Sequence, residues 1–129
     1  MNANAKTAAM IFGVLFLIAG VLGFVPNPVI SPTGYFQVNN LHNLFHIGSG
    51  VILLVGAYAS AGSFGPGMAL RFVGAVYAIL AVMGFFMPGN AIFGAIPMNM
   101  ADHWLHALLA VLLLLAGFAL APARRTAAA

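Results

Sequence analysis

The sequence predicts an all-α fold: an integral membrane four-helix bundle made of two pseudo-repeated helical hairpins. Of the 129 residues, 64% are hydrophobic and only 4% are charged, and the mean hydropathy is +1.10. Ordinary soluble domains carry about a quarter charged residues. Four apolar runs each approach the ~20 residues that a helix needs to cross the hydrocarbon core of a bilayer. We therefore interpret residues 1–129 as a single transmembrane domain whose main partner is the lipid bilayer.

The four apolar runs are predicted to be helices, because a backbone in lipid must satisfy its hydrogen bonds within its own segment. The predicted spans are about 8–25, 41–61, 69–87 and 102–120. Short links separate them and contain turn-forming residues: PNPVISPTG, GSFGPG and PGNAIFGAIP. A cleaved signal peptide is an alternative for the first run. That run is longer than the usual 7–15 apolar residues and no A-x-A-like site follows it, so a retained helix is the better prediction.

The few charged residues predict the orientation. In a chain with four spans, the cations Lys6, Arg71, Arg124 and Arg125 all fall on one side of the membrane. The positive-inside rule makes that side cytoplasmic, so we expect both termini inside a bacterial inner membrane. Four scattered cations form no patch for nucleic acid. The absence of cysteine excludes disulfides and thiolate ligands.

The two halves of the chain correspond to each other. GVLGFVP ends the first helix and AVMGFFMP ends the third. An offset of 60 then pairs the polar residues that open helices 2 and 4: Asn39 with Asn99, His42 with Asp102, Asn43 with His103, and His46 with His106. Both hairpins enter the membrane in the same direction. The pattern therefore predicts a parallel internal repeat with its pseudo-two-fold axis along the membrane normal.

These paired residues form one stripe on each of two helices. At 100° per residue, the four polar residues from Asn39 to His46 fall within about 100° of helix circumference, and their counterparts on helix 4 do the same. Polar side chains in a membrane helix almost always face the bundle interior or a wet cavity. We therefore expect the two stripes to face each other and form one polar site on the outer side.

The sharpest hypothesis for this site is a metal centre. His42 and His46 at i,i+4 can reach one ion, and Asp102 and His106 repeat that spacing, so all four are predicted metal ligands. Three imidazoles and a carboxylate suit a transition metal such as zinc, and also iron, manganese or copper. A haem or a chlorin ranks behind a simple ion, because the site lies too near the helix ends to cover a macrocycle. The residues predicted to support the ligands or a cofactor are Asn39, Asn43, Asn99 and His103.

Two main functions remain open at this point, and a pH-responsive patch formed by Asp102 and the histidines is a minor third. The first is a small integral membrane protein that binds a metal or cofactor, or serves as an accessory subunit of a larger membrane complex. The second is a purely structural bundle whose polar residues are interhelical hydrogen-bond glue, at ~0.6 kcal/mol per interaction. Enzymatic activity would require a metal with an open coordination position. The apolar, Gly- and Ala-rich helices are also compatible with self-association or with other membrane subunits.

At NNLHNLFHIGSGV and NMADHWLHALLAV the chain resembles an uncharacterised family of small four-span bacterial membrane proteins, over nearly its full length. In that family N-x-x-H-N-x-x-H opens helix 2 and N-x-x-D-N-x-x-H opens helix 4. The residues that match this pattern are His42, His46, Asp102, His106, Asn39, Asn43 and Asn99. His103 departs from it, standing where the family has Asn. The resemblance implies the fold and the location of the site, and it implies no activity.

Overall fold

The computed structural model describes residues 3–59 and 63–121, which form four helices and four very short strands. The helices are α1 Ala3–Leu22, α2 Asn40–Tyr58, α3 Pro66–Phe86 and α4 Met100–Ala119. The strands are β1 Ile30–Ser31, β2 Phe36–Gln37, β3 Ala91–Ile92 and β4 Ile96–Pro97. All four helices are long and apolar enough to cross a bilayer. The predicted four-helix membrane fold is therefore confirmed.

The helix ends have local causes. α2 and α4 each begin directly after an asparagine whose side chain caps the first turn, and α3 begins with Pro66 after Gly65. α1 begins at Ala3, earlier than hydropathy alone suggests, because its Ala-rich first turns favour helix without being strongly apolar. The last predicted residues of the second span, 60–61, lie outside the described residues.

The bundle is organised as two closely packed hairpins. α1 packs chiefly on α2, and α3 packs chiefly on α4. Glycines make the close approach possible: a Cβ on Gly50 would lie 2.8 Å from the Gly13 carbonyl oxygen, and one on Gly74 would lie 2.9 Å from the Leu114 side chain. Between the hairpins, α2 and α3 contact each other more extensively than α1 and α4 do. The α1–α4 side is thus the more open of these two lateral interfaces.

The two loops that carry the strands cover one end of the bundle, which we call the strand end: residues 23–39, residues 87–99 and the first turns of α2 and α4. β1 pairs with β2 in parallel, whereas β3 pairs with β4 antiparallel. Val38, Ile92 and Met98 on these loops are almost fully buried. Two-residue strands are too short to produce a periodic sequence signal, and the sequence did not predict them.

The described cations lie at the opposite end of the bundle. Lys6 places its ammonium 4.9 Å from the centre of the Tyr58 ring, and Arg71 donates from Nε to the Gly117 carbonyl oxygen at 2.8 Å. Both residues therefore share one side, as the predicted orientation requires. Arg124 and Arg125, the other two cations of that prediction, lie outside the described residues.

Candidate metal centre

Three histidines meet inside the strand end of the bundle. His42 and His46 come from α2 and His106 comes from α4. One ring nitrogen from each of the three lies within 4.8 Å of the others. Their side chains are buried, at 2%, 7% and 1% relative exposure. Three of the four residues predicted as metal ligands are therefore brought together, and we call them the three-histidine cluster.

The His42 ring is held in one orientation by a hydrogen bond. Its Nδ1 lies 3.1 Å from the Pro97 carbonyl oxygen. Because a carbonyl can only accept, Nδ1 carries the proton, and Nε2 of the neutral ring keeps a free lone pair. Nε2 is buried and has no hydrogen-bond partner among the described residues. Asn39 Oδ1 also accepts a bond from the His42 backbone N–H at 2.9 Å, so the residue is anchored at both ends.

The other two rings also carry buried nitrogens without partners. His46 Nδ1 and His106 Nδ1 have no hydrogen bond within the described chain. Leaving a buried polar group unsatisfied costs about 1–3 kcal/mol. A cavity of ≈ 10 Å³ lies against His42, Tyr77 and His106. That is roughly the space of one water-sized sphere.

The geometry suits an ion after small ring rotations. A tetrahedral ion with metal–nitrogen bonds of about 2.0–2.1 Å holds its ligand nitrogens about 3.4 Å apart. The three nitrogens lie within 4.8 Å of one another, so any inward movement of the rings that an ion would require is small. Three imidazoles also leave a fourth position for water or another ligand, which is the pattern of catalytic rather than structural zinc sites.

Asp102, the fourth predicted ligand, forms a capping box at the start of α4. Its Oδ2 accepts from the backbone N–H of Asn99 at 2.8 Å and of Gln37 at 3.2 Å. Asn99 Oδ1 accepts in return from the Asp102 N–H at 3.0 Å. Asp102 is outside the group of three residues whose ligand atoms lie within 4.8 Å of one another. Its role as a ligand stays a prediction, while its role in holding this helix end is visible.

Asn39 and Asn99 link each hairpin to the loop of the other. Asn39 donates from Nδ2 to the Ala95 carbonyl at 2.8 Å, and Asn99 donates to the Tyr35 carbonyl at 2.8 Å. These partners are themselves related by the offset of 60. These two hydrogen bonds agree with the predicted repeat, and each joins one polar stripe to the loop of the other hairpin.

Asn43 and His103, which the repeat also pairs, each contact a glycine in their own hairpin, at or just beyond the last turn of the preceding helix. Asn43 lies against Gly23, and His103 lies against Gly84, where a Cβ would collide with the side chain in both cases. Within residues 3–59 and 63–121, the amide atoms of Asn43 and the Nδ1 of His103 are buried without hydrogen-bond partners. No hydrogen bond among the described residues therefore supports their predicted role beside the metal ligands.

Sequence reasoning missed the aromatic wall of the cluster. The Tyr77 ring lies 5.2 Å from the His106 ring, and the Phe16 ring lies 6.1 Å from the His46 ring, measured between centroids. Ser49 Oγ is 3.3 Å from the Tyr77 hydroxyl. α1 and α3 thus contribute aromatic side chains to a site whose histidines come from α2 and α4. Aromatic residues in an apolar helix carry no signal that separates this role from ordinary packing.

Replacing Asn99 with alanine is expected to lower the free energy of unfolding by about 1–2 kcal/mol. The change removes the α4 cap, worth about 0.5–2 kcal/mol, and also the bond to the Tyr35 carbonyl. Thermal unfolding in detergent measures the effect. Asn90→Ala, at an exposed position on the same loop, is the control and should stay within about 0.5 kcal/mol of wild type. Equal losses in both variants would contradict the capping role.

Comparison with known proteins yields one match. Residues 6–119 match a family model described as Domain of unknown function (DUF4383). No curated protein and no solved structure shows a significant match. The matched segment includes all four helices except the first residues of α1.

Proposed function

The chain belongs to the family described as Domain of unknown function (DUF4383), as its resemblance to an uncharacterised family predicted. We propose that this member is a metal-binding membrane protein. The bound species is a transition-metal ion such as zinc. His42, His46 and His106 hold it in the three-histidine cluster. A bound ion would supply a Lewis acid with one coordination position that the chain itself does not fill.

The observation that carries this proposal is the set of unpaired nitrogens. His42 Nε2, His46 Nδ1 and His106 Nδ1 are all buried without a hydrogen-bond partner within the described chain. His42 in addition has the hydrogen bond from Nδ1 to a backbone carbonyl that commonly orients a metal-ligating imidazole. Burial without partners is unfavourable, and one ring nitrogen of each of these three histidines lies within 4.8 Å of the others, so a single metal ion could take a lone pair from all three rings.

The structural alternative accounts for a different part of the polar stripes. Hydrogen bonds between the hairpins use Asn39, Asn99, Asp102 and the Nδ1 of His42. They favour a role in fixing the register of the two hairpins. This role leaves the three unpaired nitrogens unexplained. We propose that Asn39, Asn99 and Asp102 fix the register of the two hairpins, and that the three histidines bind the ion.

The orientation remains part of the proposal. Lys6 and Arg71 lie at the end opposite the cluster, so the positive-inside rule would place the cluster near the outer face of a bacterial inner membrane. The internal repeat is supported by the paired hydrogen bonds of Asn39 and Asn99. Association with other membrane subunits, or with a second copy, stays a prediction from the apolar Gly- and Ala-rich helices.

Elemental analysis and an optical spectrum test the proposal directly. The protein is purified in mild detergent without a histidine tag, then incubated with Zn²⁺ or Co²⁺ and desalted. The matched sample is the double variant His42→Ala/His106→Ala. We expect stoichiometric metal in the wild type, a ligand-field spectrum with Co²⁺, and neither in the variant.

Wild-type protein that retains no metal after loading would overturn the proposal. The polar stripes would then act as hydrogen-bond glue. Equal retention by wild type and double variant would also overturn it, because the metal would then sit elsewhere on the chain.

A further inference from the structure

A lateral cleft runs between α1 and α4 and reaches the three-histidine cluster. It has a volume of ≈ 150 Å³. His46, Asp102 and His106 form its polar part, and apolar side chains such as Phe12, Leu15 and Leu109 form the rest. It lies along the more open of the two lateral interfaces between the hairpins.

The cluster is closed toward the strand end and open toward the side. His42 and His106 are 2% and 1% exposed beneath loops that bury Val38 and Met98. Leu15, by contrast, lines the cleft and is 55% exposed in the middle of a candidate span. The solvent around that part of the helix is hydrocarbon, so the accessible route to the cluster starts in the lipid.

The counterpart groove on the other side of the bundle serves as an internal comparison. It lies between α2 and α3, with a volume of ≈ 410 Å³, and is lined by residues such as Phe45, Ser49 and Phe72. The offset of 60 relates Phe72 to Phe12 and Phe45 to Leu105 in the α1–α4 cleft. In the part of the chain that the structure describes, no histidine or acidic residue lines this groove. Ser49 is a hydroxyl and offers neither an imidazole nor a carboxylate, so a ligand whose polar head needs those groups fits the α1–α4 cleft and not this groove.

We infer that the fourth position of the proposed metal site receives, through this cleft, the hydroxyl oxygen of a membrane-soluble amphiphile. This inference rests on the proposed function. The apolar tail lies along Phe12, Leu15 and Leu109, and the head reaches His46 and His106. The head is a hydroxyl, because its oxygen can bind the ion while its proton is donated to the Asp102 carboxylate, which lines the cleft. A carboxylate or phosphate head would be attracted by the ion, but it has no proton to donate to Asp102 and would hold its own charge against that carboxylate.

The test uses Co²⁺-loaded full-length protein in nanodiscs of saturated phosphatidylcholine, with 4-octylphenol as the probe. The Co²⁺ ligand-field band is recorded during titration, and phenol and octanoate are titrated in parallel. We expect a saturable shift with octylphenol. Phenol, which lacks the tail, and octanoate, which has no proton to donate to Asp102, should each require a concentration at least roughly tenfold higher.

Two variants locate the route. Ala19→Phe places a ring inside the α1–α4 cleft, and Leu15→Trp places one at its rim if the first variant does not fold. Either should bind Co²⁺ normally and respond to octylphenol at least roughly tenfold more weakly. Gly48→Phe is the matched control, because it fills the counterpart groove at a position where a Cβ meets nothing within 4 Å. Its titration should equal that of wild type.

The outcomes separate the two proposals. Absence of any Co²⁺ band in the wild type sinks the metal site itself. A normal Co²⁺ band that octylphenol does not shift, or shifts equally in wild type and Ala19→Phe, overturns the lateral route while leaving the metal site intact. A stronger response to octanoate than to octylphenol overturns the choice of a hydroxyl head.

Discussion

Removing the His46 imidazole is expected to lower the affinity for Zn²⁺ or Co²⁺ by at least about 100-fold. Loss of an outer hydrogen-bond partner alone typically costs 10–100-fold, and His46 is proposed to bind the ion itself. The measurement is a Co²⁺ titration followed by its ligand-field band, with Zn²⁺ competition for the absolute affinity. The His46→Ala variant should remain an assembled four-helix protein, because within the described residues His46 makes no hydrogen bond that links the hairpins.

His103→Ala is the matched control for this prediction. His103 is a buried histidine on the same helix as His106, and its Nδ1 also lacks a partner, yet it is outside the three-histidine cluster. Its removal should change affinity by less than about tenfold. Equal losses in His46→Ala and His103→Ala would contradict the assignment of the ligands.

The effect of metal on the free energy of unfolding provides a second test of the His46→Ala and His103→Ala variants. A ligand present at 100 times its dissociation constant stabilises the folded state by about 2.7 kcal/mol. Wild type and His103→Ala should gain this on addition of metal, and His46→Ala should not. If His46 only stabilises helix packing, the opposite result is expected. His46→Ala would then be less stable than wild type, and metal would stabilise neither protein.

The four helices were predictable because lipid imposes a simple rule on sequence. A span must be long, apolar and internally hydrogen-bonded, and each of these conditions leaves a local signal. The two polar stripes were also predictable from helical periodicity. It placed His42, His46 and His106 on interior faces, and all three are buried.

The partners of those stripes were not predictable in the same way. Pro97, Gln37 and Tyr77 lie far along the chain from the histidine or aspartate they contact, and no periodic pattern connects them. Asp102 belongs to two sequence patterns that indicate different roles. Its spacing from His106 indicates a shared ligand face, while its spacing from Asn99 is that of a capping box. The hydrogen bonds of the structure follow the second signal.

Gly50→Leu is expected to destabilise the protein by roughly 3 kcal/mol or more, the upper range for overpacking. A Cβ at this position would lie 2.8 Å from the Gly13 carbonyl oxygen on α1 and 2.9 Å from the Leu17 side chain. Backbone cannot yield as a flexible side chain does, so α1 and α2 must separate. Thermal or denaturant unfolding in detergent measures the loss.

Gly48→Leu isolates this steric effect from helix propensity. Both glycines lie in α2, and leucine in place of glycine favours a helix by somewhat under 1 kcal/mol. Gly48 is exposed, and a Cβ there meets nothing within 4 Å, so its variant should be neutral or more stable than wild type. Destabilisation of both variants to the same extent would mean that the close approach of the helices is not what Gly50 provides.

The same substitution should also weaken metal binding, although Gly50 contacts no histidine of the cluster. Phe16 on α1 lies 6.1 Å from the His46 ring and 5.0 Å from the Tyr77 ring, between centroids, so it connects the hairpin packing to the cluster wall. If α1 moves away from α2, that wall moves with it and the histidines lose the packing that fixes their positions. Gly50→Leu should therefore lose Co²⁺ affinity together with stability, whereas His46→Ala should lose affinity alone. The difference between these two variants distinguishes loss of a metal ligand from loss of the helix packing that positions the ligands.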